Sequence, residues 1–224
     1  DVCSSDLALT RLTTNNAQGE EYLTDVLSIL RADGHRVAAS VAENADEVMG
    51  VNDRVQLALA ARLLRHRINA AHMRNGVTII DPETTWIQPD VEIARDAVIE
   101  PNTLLRGTTS IGEGAIIGPD TTLIDCTVEA GASVVKSHAV GAVIGPKATV
   151  GPFTYLRPGT VLGEKAKAGA YVEMKSARVG KGSKVPHLSY VGDAEIGDDS
   201  NIGAATIFAN YDGVDKHRTV IGSG

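Results

Sequence analysis

Two basic residues and a histidine stand out from a stretch that is otherwise aliphatic, small or polar. Arg157 and Lys175 are separated by three six-residue units, and each directly follows a large apolar residue. Two neighbouring cations can bind a phosphate, the arginine through a forked contact and the lysine as a point charge. His187 comes two such units after Lys175, and a histidine, with a reference pKa of about 6.5, can accept a proton from an attacking amine or hydroxyl. Whether these residues meet depends on the fold that positions them.

Simpler explanations exist for the same residues. The chain has a net charge of -7, yet between Arg157 and Lys184 it carries seven basic residues and two acidic ones. A solvated basic face would explain that excess equally well, and a single histidine is more often structural or exposed than catalytic. The acidic balance of the whole chain argues against a general nucleic-acid or membrane-surface binder. No apolar run reaches the roughly 18 residues that predict a membrane span, and no signal segment opens the chain, so we expect a cytoplasmic protein.

A six-residue period begins at Ile87 and predicts the element that positions these residues. One aliphatic residue with small or glycine-bearing filler can form one flat side of a triangular coil, and three sides make a coil of about 18 residues. Stacked coils pair as parallel strands about 4.8 Å apart, with the aliphatic residues in an internal column. The repeat therefore predicts a parallel β-helix over residues 76–224. Its expected column is Ile87, Ile93, Ile99, Leu105, Ile111, Ile117 and Leu123, then, after slips, Val128, Val134, Val140, Ile144, Val150, Leu156, Leu162, Ala168, Met174, Val179, Val185, Val191, Ile196 and Ile202, with hexads continuing to about Ile207.

The coil length predicts how the reactive residues are arranged. Arg157 and Lys175 should lie on the same edge of adjacent coils, because no slip separates them. His187 should lie two sides further round, with Tyr190 at the next corner and Asn201 one coil further on. A phosphate-sized gap between the cations and the histidine is the arrangement that the coil predicts.

The upstream part has a mixed α/β pattern. Leu23, Val26, Leu27 and Leu30 recur at helical spacing, which predicts an amphipathic helix from about Ala17 to Gly34. The sequence "RVAASVA" is typical of a short strand, and Asn52 or Asp53 could cap a long helix over residues 55–75. The first seven residues, "DVCSSDL", look like a translated sequencing adapter, so we set residues 1–7 aside together with Cys3.

Long motifs in this sequence resemble one enzyme family. The stretches "GPFTYLRPGT", "YVEMKSARVGKGSKVPHLSYVGDAEIGDDSNIGA" and "ANYDG" are similar to the acetyltransferase domain of the bifunctional N-acetylglucosamine-1-phosphate uridyltransferases and glucosamine-1-phosphate acetyltransferases. Upstream, "LTTNNAQGEEYLTD" and "GVNDRVQLA" resemble the end of the uridyltransferase domain in the same family. The resemblance implies a uridyltransferase remnant at 8–54, a linker helix at 55–75 and a left-handed β-helical acetyltransferase domain at 76–224, shortened at its C-terminal end.

The resemblance also implies a reaction and roles for individual residues. Acetyl-CoA would acetylate the amine of glucosamine 1-phosphate, and the full-length protein would then use UTP and Mg²⁺ to form UDP-N-acetylglucosamine for cell-wall synthesis. We expect a homotrimer, and we expect the 224-residue chain to be folded but inactive in both reactions. The resemblance implies that His187 is the general base, that Arg157 and Lys175 hold the sugar phosphate, and that Tyr190 and Asn201 contact the sugar. Ala204, Asn210 and Tyr211 would line the acetyl-CoA site in a neighbouring subunit, and Lys216, in the loop that interrupts the repeat, is a weaker candidate for binding either the substrate or the coenzyme. Asn52 would bind magnesium, although it could equally be a helix cap.

Other functions remain open at this point. Another hexapeptide-repeat sugar or amino-acid acetyltransferase would keep the histidine, but it would not need the upstream motifs. A zinc enzyme would need converging histidines, and the spacings of His138, His187 and His217 are not whole numbers of coils. A β-helix that only binds ligands would leave Arg157, Lys175 and His187 unexplained.

Overall fold

The structure, a computed structural model, describes the backbone of residues 2–224 and the side chains from residue 5 onward. The chain divides into two units, residues 1–50 and 51–224. Within the described residues, no helix combines the length and the apolar character needed to cross a membrane.

The first unit is a small helical segment. It contains helix α1 (Val2–Leu9), helix α2 (Asp25–Ala32) and a 3₁₀ turn (Ala45–Val48). Ala8 and Val26 are its buried apolar side chains. An ion pair of 2.5 Å joins the Arg11 guanidinium to the Asp33 carboxylate. Helix α1 includes most of the set-aside heptapeptide, and the side chain of Cys3 lies outside the described residues.

Two expectations for this unit are wrong. The helix expected from Ala17 begins only at Asp25, and Asn16 explains part of the difference. The Asn16 side-chain oxygen accepts the backbone N–H groups of Gln18 and Glu20 at 3.1 and 3.2 Å, which favours turns over helix. The strand expected in "RVAASVA" is an exposed irregular segment, because the described part of this unit offers no strand with which it could pair.

The long helix of the second unit confirms the expected helix near residues 55–75. Helix α3 runs over Arg54–Arg74, and the Asp53 side chain caps it by accepting the Gln56 N–H at 2.7 Å. Asn52 is therefore not the cap. The C-terminal half of the helix packs on the first coil, where the buried Asn69 amide donates to the carbonyls of Pro82 and Thr85, both at 3.0 Å.

Arg65 strengthens the same contact between helix and coil. Its guanidinium lies 4.7 Å from the Trp86 ring centroid and forms a 2.6 Å ion pair with Glu83. The helix is thus attached to the β-helix along its second half, while Val55 and Leu57 near its start are exposed.

Three parallel sheets form the rest of the unit and confirm the predicted β-helix. We call them faces A, B and C, and the chain visits them in that order in each coil. Face A contains β1 (Thr78–Ile79), β4 (Val98–Ile99), β7 (Ile116–Ile117), β10 (Ser133–Val134), β13 (Thr149–Val150), β16 (Lys167–Ala170) and β19 (Lys184–His187). Face B contains β2 (Trp86–Ile87), β5 (Leu104–Arg106), β8 (Thr122–Ile124), β11 (His138–Val140), β14 (Tyr155–Leu156), β17 (Glu173–Lys175) and β20 (Tyr190–Gly192). Face C contains β3 (Glu92–Ile93), β6 (Ser110–Ile111), β9 (Thr127–Val128), β12 (Val143–Ile144), β15 (Val161–Leu162), β18 (Arg178–Val179), β21 (Ala194–Ile196) and β22 (Thr219–Ile221).

The core is the expected aliphatic column, with two local corrections. Ile99, Leu123, Leu156 and most other hexad residues are buried and packed in one cluster. Val140 is wrong as a column residue: Ala139 pairs with Leu123 and Leu156 and is buried, so the slip comes one residue earlier. Ile207 is likewise exposed, while the adjacent Phe208 is buried.

The corners of the coils rely on small buried residues and on left-handed backbone. Two positions before each column residue lies a buried small or β-branched residue, and several of these carry hydroxyls that donate to carbonyls, as Thr160 does to Arg157 at 2.8 Å. Buried hydroxyls are thereby satisfied. Of the described residues, fourteen other than glycine have positive φ, among them Asp96, Asn102 and Asp120. Asp and Asn tolerate this conformation better than most residues, which suits them to the corners.

Candidate active site

The predicted phosphate clamp lies at the end of face B. Leu156 pairs with Met174, and the Arg157 N–H donates to the Met174 carbonyl at 2.8 Å, so Arg157 and Lys175 lie on adjacent coils. Both side chains are half-buried. The Arg157 guanidinium forms a 3.0 Å ion pair with Glu173, whereas the described ion pairs do not include Lys175. Lys175 is thus the freer of the two cations for an anionic ligand.

Tyr190 and Asn210 meet above Gly192 at the same end of face B. Lys175 pairs with Gly192 on the next coil. A methyl group on Gly192 would come within 2.5 Å of the Tyr190 hydroxyl and 2.8 Å of the Asn210 amide nitrogen. Asn210 is buried, and its amide donates to the Asp193 carboxylate at 2.5 Å. The missing side chain at Gly192 therefore lets a hydroxyl and an amide approach the backbone beside the Lys175 coil.

His187 lies at the opposite end of face B, at the corner that follows face A. It ends β19 and pairs with Ala170 on the preceding coil. On the following coil, Ala205 donates its N–H to the His187 carbonyl at 3.4 Å, which aligns Ala204 with His187. The imidazole is exposed between two alanines, and the described hydrogen bonds of His187 use only its backbone. Its ring nitrogens are therefore accessible to a ligand.

The remaining site residues lie near these two ends. Asn201 is exposed on face A, where it bridges Lys184 one coil below. Tyr211 and Lys216 are exposed in a loop over residues 209–218, which they close as an antiparallel bridge. The Tyr211 hydroxyl donates to the Gly213 carbonyl at 2.7 Å.

The structure groups the expected residues into two clusters. Arg157, Lys175, Tyr190 and Asn210 come together toward the corner between faces B and C. His187, Ala204 and Asn201 lie on face A and its corner with face B. Tyr190 begins the strand that connects the two clusters. A ligand that contacts both must therefore lie along face B.

Sequence reasoning missed three residues of this region. Glu173 pairs with Tyr155 and Tyr190 in register and binds Arg157. Asp193 fixes the Asn210 amide, and Gly192 leaves room for it. The sequence spacing could have placed Glu173 between Tyr155 and Tyr190, because one tyrosine lies about one coil before it and the other about one coil after it. The Asp193–Asn210 contact depends on how the loop returns, which no period predicts.

The described residues do not assemble a metal centre. No group of three His, Cys, Asp or Glu side chains comes together in the part of the chain whose side chains are described. His138 stacks edge-on against Tyr155 at 5.4 Å, and His217 binds Asp212 at 2.6 Å. Asn52 is exposed, its N–H donates to the Gln56 side chain at 2.6 Å, and the adjacent Asp53 carboxylate is used as the helix cap. Asn52 alone does not fit a magnesium site, and we derive no step that uses the metal.

The fold and the repeat define a hexapeptide-repeat parallel β-helix protein. By sequence, the chain is 58% identical over 216 residues to the bifunctional protein GlmU of Corynebacterium aurimucosum and 60% identical over 215 residues to that of Corynebacterium jeikeium. Each alignment covers 96% of this chain and 44% of the relative, so the chain spans less than half the length of these proteins. Over the aligned segment, the chain is similar to the GlmU proteins along nearly its whole length.

Solved structures give more distant matches. A UDP-N-acetylglucosamine acyltransferase from Campylobacter jejuni is 19% identical, with a TM-score of 0.43, and the match covers 58% of this chain and 66% of that one. No protein-family model matches the chain.

Proposed function

We propose that the β-helical unit transfers an acetyl group from acetyl-CoA to the amine of glucosamine 1-phosphate. In the complete protein, a uridyl group would then pass from UTP to N-acetylglucosamine 1-phosphate, giving UDP-N-acetylglucosamine and pyrophosphate. The proposed setting is the cytoplasm of a bacterium, with the protein as a homotrimer. The proposal is supported by the sequence relationship to the GlmU proteins and by the position of the expected residues on face B.

The exposed histidine is the observation that carries this proposal. His187 has no side-chain partner among the described hydrogen bonds, and alanines flank it on both neighbouring coils. In the proposed reaction, the amine attacks the thioester carbonyl, His187 accepts the amine proton, and the carbon–sulfur bond breaks to release the thiol of coenzyme A. A base without an internal partner can take up this proton directly.

The cationic end of face B would hold the acceptor. Lys175, with Arg157 beside it, would bind the phosphate, and the Tyr190 hydroxyl would contact the sugar between the phosphate and the base. Asn201 would add a further sugar contact from face A. We assign Ala204, Asn210 and Tyr211 to the coenzyme, because they lie on the coil after His187 and in the loop that follows it.

The test separates the base from the phosphate clamp in the complete protein. We expect His187→Ala to lower acetyl transfer by about 10² to 10⁴ with little change in glucosamine 1-phosphate binding. Lys175→Ala should instead raise the acceptor KM more than it lowers kcat. The measurement is free thiol released from acetyl-CoA with and without glucosamine 1-phosphate.

Lys147→Ala, an exposed lysine on an earlier coil, is the control and should change neither constant. Near-normal turnover in His187→Ala would show that the assigned base is wrong. If the wild type shows no thiol release that depends on glucosamine 1-phosphate, a binding module or a different acetyltransferase is favoured.

A further inference from the structure

Two lysines on face A belong to the basic stretch between Arg157 and Lys184 and have no part in the proposed reaction. Lys167 and Lys184 occupy the same position on adjacent coils, because they are paired in register. Each comes one residue before a buried core residue, Ala168 or Val185, so both side chains point outward. Adjacent strands lie about 4.8 Å apart, so the two side chains stand next to each other. We call them the face A lysine pair.

The acidic side chains at the neighbouring corner act on other lysines. The Glu164 carboxylate contacts the Lys181 ammonium at 2.9 Å and the Lys165 ammonium at 3.4 Å. The hydrogen bond and the charge of Glu164, followed by the charges of Asp199 and Asp198, raise the pKa of Lys181. The charge of this corner is therefore balanced within the corner.

The face A lysine pair has no such balance. Among the described residues, neither ammonium takes part in an ion pair. Lys184 is exposed and Lys167 is half-buried. Like charges directly opposite each other on adjacent strands are destabilising. An anion that contacts both ammonium groups would remove this repulsion, which makes the pair a candidate anion site.

The surface beside the lysine pair carries no large side chain. The outward positions two residues further along the same strands are Gly169 and Pro186. Gly151 and Gly203 occupy the equivalent places on the coils before and after them. A methyl group on Gly203 would have nothing within 4 Å. A ligand can therefore lie flat against face A while the two ammonium groups contact it.

Two ammonium groups at one strand spacing suit a ligand with two linked phosphates. Each ammonium is a compact charge with three donors, and a diphosphate offers one phosphate to each of them. Lys184 lies three residues before His187 on the same strand, roughly 10 Å along it. The residues that we assign to the coenzyme lie on the coil after His187 and in the loop that follows. The lysine pair thus lies on the other side of the proposed base from them.

We propose that the face A lysine pair binds the diphosphate group of a nucleotide. Thr149, one coil before Lys167 in the same outward column, offers a hydroxyl beside the phosphates. The inference rests on the proposed function only for the source of the diphosphate. That source is either UDP-N-acetylglucosamine, the proposed product of the complete protein, or coenzyme A.

The first experiment measures diphosphate binding alone. The 224-residue chain is titrated with inorganic pyrophosphate at low ionic strength, and the amide NMR shifts of residues 167–169 and 183–185 are followed. We expect saturable shifts there, and tighter binding of pyrophosphate than of phosphate. Lys167→Gln and Lys184→Gln should each weaken pyrophosphate binding by about fivefold, the upper range for one exposed ion pair, and should reduce its preference over phosphate. Lys184→Arg, which keeps the charge, should retain most of the affinity.

Matched controls come from the same basic stretch. Lys165→Gln removes an exposed lysine that contacts Glu164, and Lys175→Gln removes a cation of the proposed clamp on face B. Neither should change the shifts on face A, and circular dichroism checks the β-helix of every variant. The absence of a saturable shift up to tens of millimolar pyrophosphate would overturn the proposal. Equal pyrophosphate affinities in the wild type and both lysine-pair variants would also overturn it.

The second experiment identifies the source of the diphosphate. The 224-residue chain is titrated with UDP-N-acetylglucosamine and with N-acetylglucosamine 1-phosphate, and the complete protein with coenzyme A and with 4′-phosphopantetheine. The second ligand of each comparison carries a single phosphate in place of the diphosphate. The source is the ligand that loses its advantage when Lys167 and Lys184 are both replaced by Gln. If neither ligand loses it, pyrophosphate is an adventitious anion only and the proposal fails.

The two proposals can fail separately. Acetyl transfer by the complete protein, together with pyrophosphate binding that Lys167→Gln and Lys184→Gln leave unchanged, removes the face A site and keeps the function. Pyrophosphate binding at the lysine pair without acetyl transfer in the wild type removes the function and keeps the site.

Discussion

Asp212 holds the 209–218 loop together from inside. Its carboxylate accepts the backbone N–H groups of Asp215 and Val214, both at 2.8 Å, and binds the His217 ring at 2.6 Å. The Asp215 N–H, then His217, then the Val214 N–H lower the pKa of Asp212 from 3.8 to about 2. Each of these contacts favours the ionised carboxylate. The loop that presents Lys216 is therefore organised around one negative charge.

The first prediction concerns the pH range of this loop. Because the folded-state pKa of Asp212 is depressed, its contribution to loop order is fully present above about pH 4 and is lost as the pH falls through about 2. NMR of the Asp212 carboxyl carbon should show a midpoint near 2. Asp212→Asn should disorder residues 212–217 already at neutral pH, whereas Asp215→Asn, in the same loop, should not. A midpoint near 4 would contradict the contacts described for Asp212.

Gly169 lies beneath Pro186, the residue before the proposed base His187, and supports the position of that coil. Gly169, Pro186 and Gly203 occupy equivalent places on three successive coils, because Lys167 pairs with Lys184 and Lys184 with Asn201. A methyl group on Gly169 would lie 2.7 Å from the Pro186 carbonyl carbon and closer still to its oxygen. These are backbone atoms, so the next coil would have to move, and His187 is attached to it.

The second prediction compares two alanine substitutions at these equivalent glycines. Gly169→Ala should destabilise the β-helix by about 1–3 kcal/mol, as for overpacked sites. Gly203→Ala should be nearly neutral, because nothing lies within 4 Å of the added methyl group. Urea unfolding of the 224-residue chain measures both. Equal stability of the two variants would show that the coil above Gly169 moves freely.

At the scale of elements, the attachment of α3 to the first coil depends on a few polar contacts. Asn69 is 1% exposed and donates to two carbonyls, while Arg65 stacks on Trp86. These contacts replace the water that would otherwise solvate the Pro82 and Thr85 carbonyls. The second half of α3 is thus held by hydrogen bonds as well as by packing of Ile68.

The third prediction removes those contacts. Asn69→Ala should cost about 1–3 kcal/mol, because it leaves buried carbonyls without a donor. Asn52→Ala, which truncates an exposed side chain just before the same helix, is the matched control and should cost little. Hydrogen exchange of α3 and of residues 78–87 distinguishes the variants. Unchanged exchange in Asn69→Ala would mean that apolar packing alone attaches the helix.

The six-residue period predicts the strands of the coils but not every slip between them. A period of six fixes which face each strand joins, and a spacing of three such periods is enough to put Arg157 beside Lys175. It does not locate a slip when two adjacent residues are both apolar, so the period predicts Val140 for the column where Ala139 occupies it. The backbone conformation of the preceding corner decides which of the two residues faces the core, and contacts with the neighbouring coils set that conformation.

At the scale of the whole molecule, exposed aromatic side chains lie along the β-helix. Phe153 and Tyr171 stack with ring centroids 5.2 Å apart, and they are 53% and 60% exposed. Both lie at the corner that carries His187 on a later coil. Exposed stacked rings beside a proposed active site are typical of a surface that another chain covers.

The fourth prediction is therefore that the complete protein is a trimer. Flat faces allow three parallel β-helices to pack, so that residues of adjacent chains can contribute to one site. Multi-angle light scattering at micromolar concentration should give three times the chain mass, and replacing both Phe153 and Tyr171 by Ser should shift the distribution toward smaller species. A monomeric wild type at that concentration would contradict the expected assembly.

The sequence predicts the β-helical part of the molecule better than the helical unit that precedes it. Because the same position recurs in every coil, Leu105, Leu123 and Leu156 each give separate support for one aliphatic column. The apolar helical pattern around Leu23 and Val26 occurs only once. Its start also depends on a local contact, because the Asn16 side chain accepts backbone N–H groups and forms a turn where the helix was expected. The Asp193–Asn210 contact joins a residue of a coil to a residue of the loop, and no repeat period predicts it.

The coils differ in length although their core positions coincide. On face C, Ile93 pairs with Ile111, Ile111 with Val128 and Val128 with Ile144, so each of these coils is one residue shorter than the coil before it, and Ile196 pairs with Ile221 across the 209–218 loop. Insertions and deletions are absorbed at corners without shifting an inward side chain. Residue equivalence among such proteins is therefore given by coil and corner, and comparisons by fixed numbering offset would misassign active-site residues wherever a corner has gained or lost an amino acid. The 209–218 loop leaves and re-enters the stack at one corner, so its length can change without moving the aliphatic column.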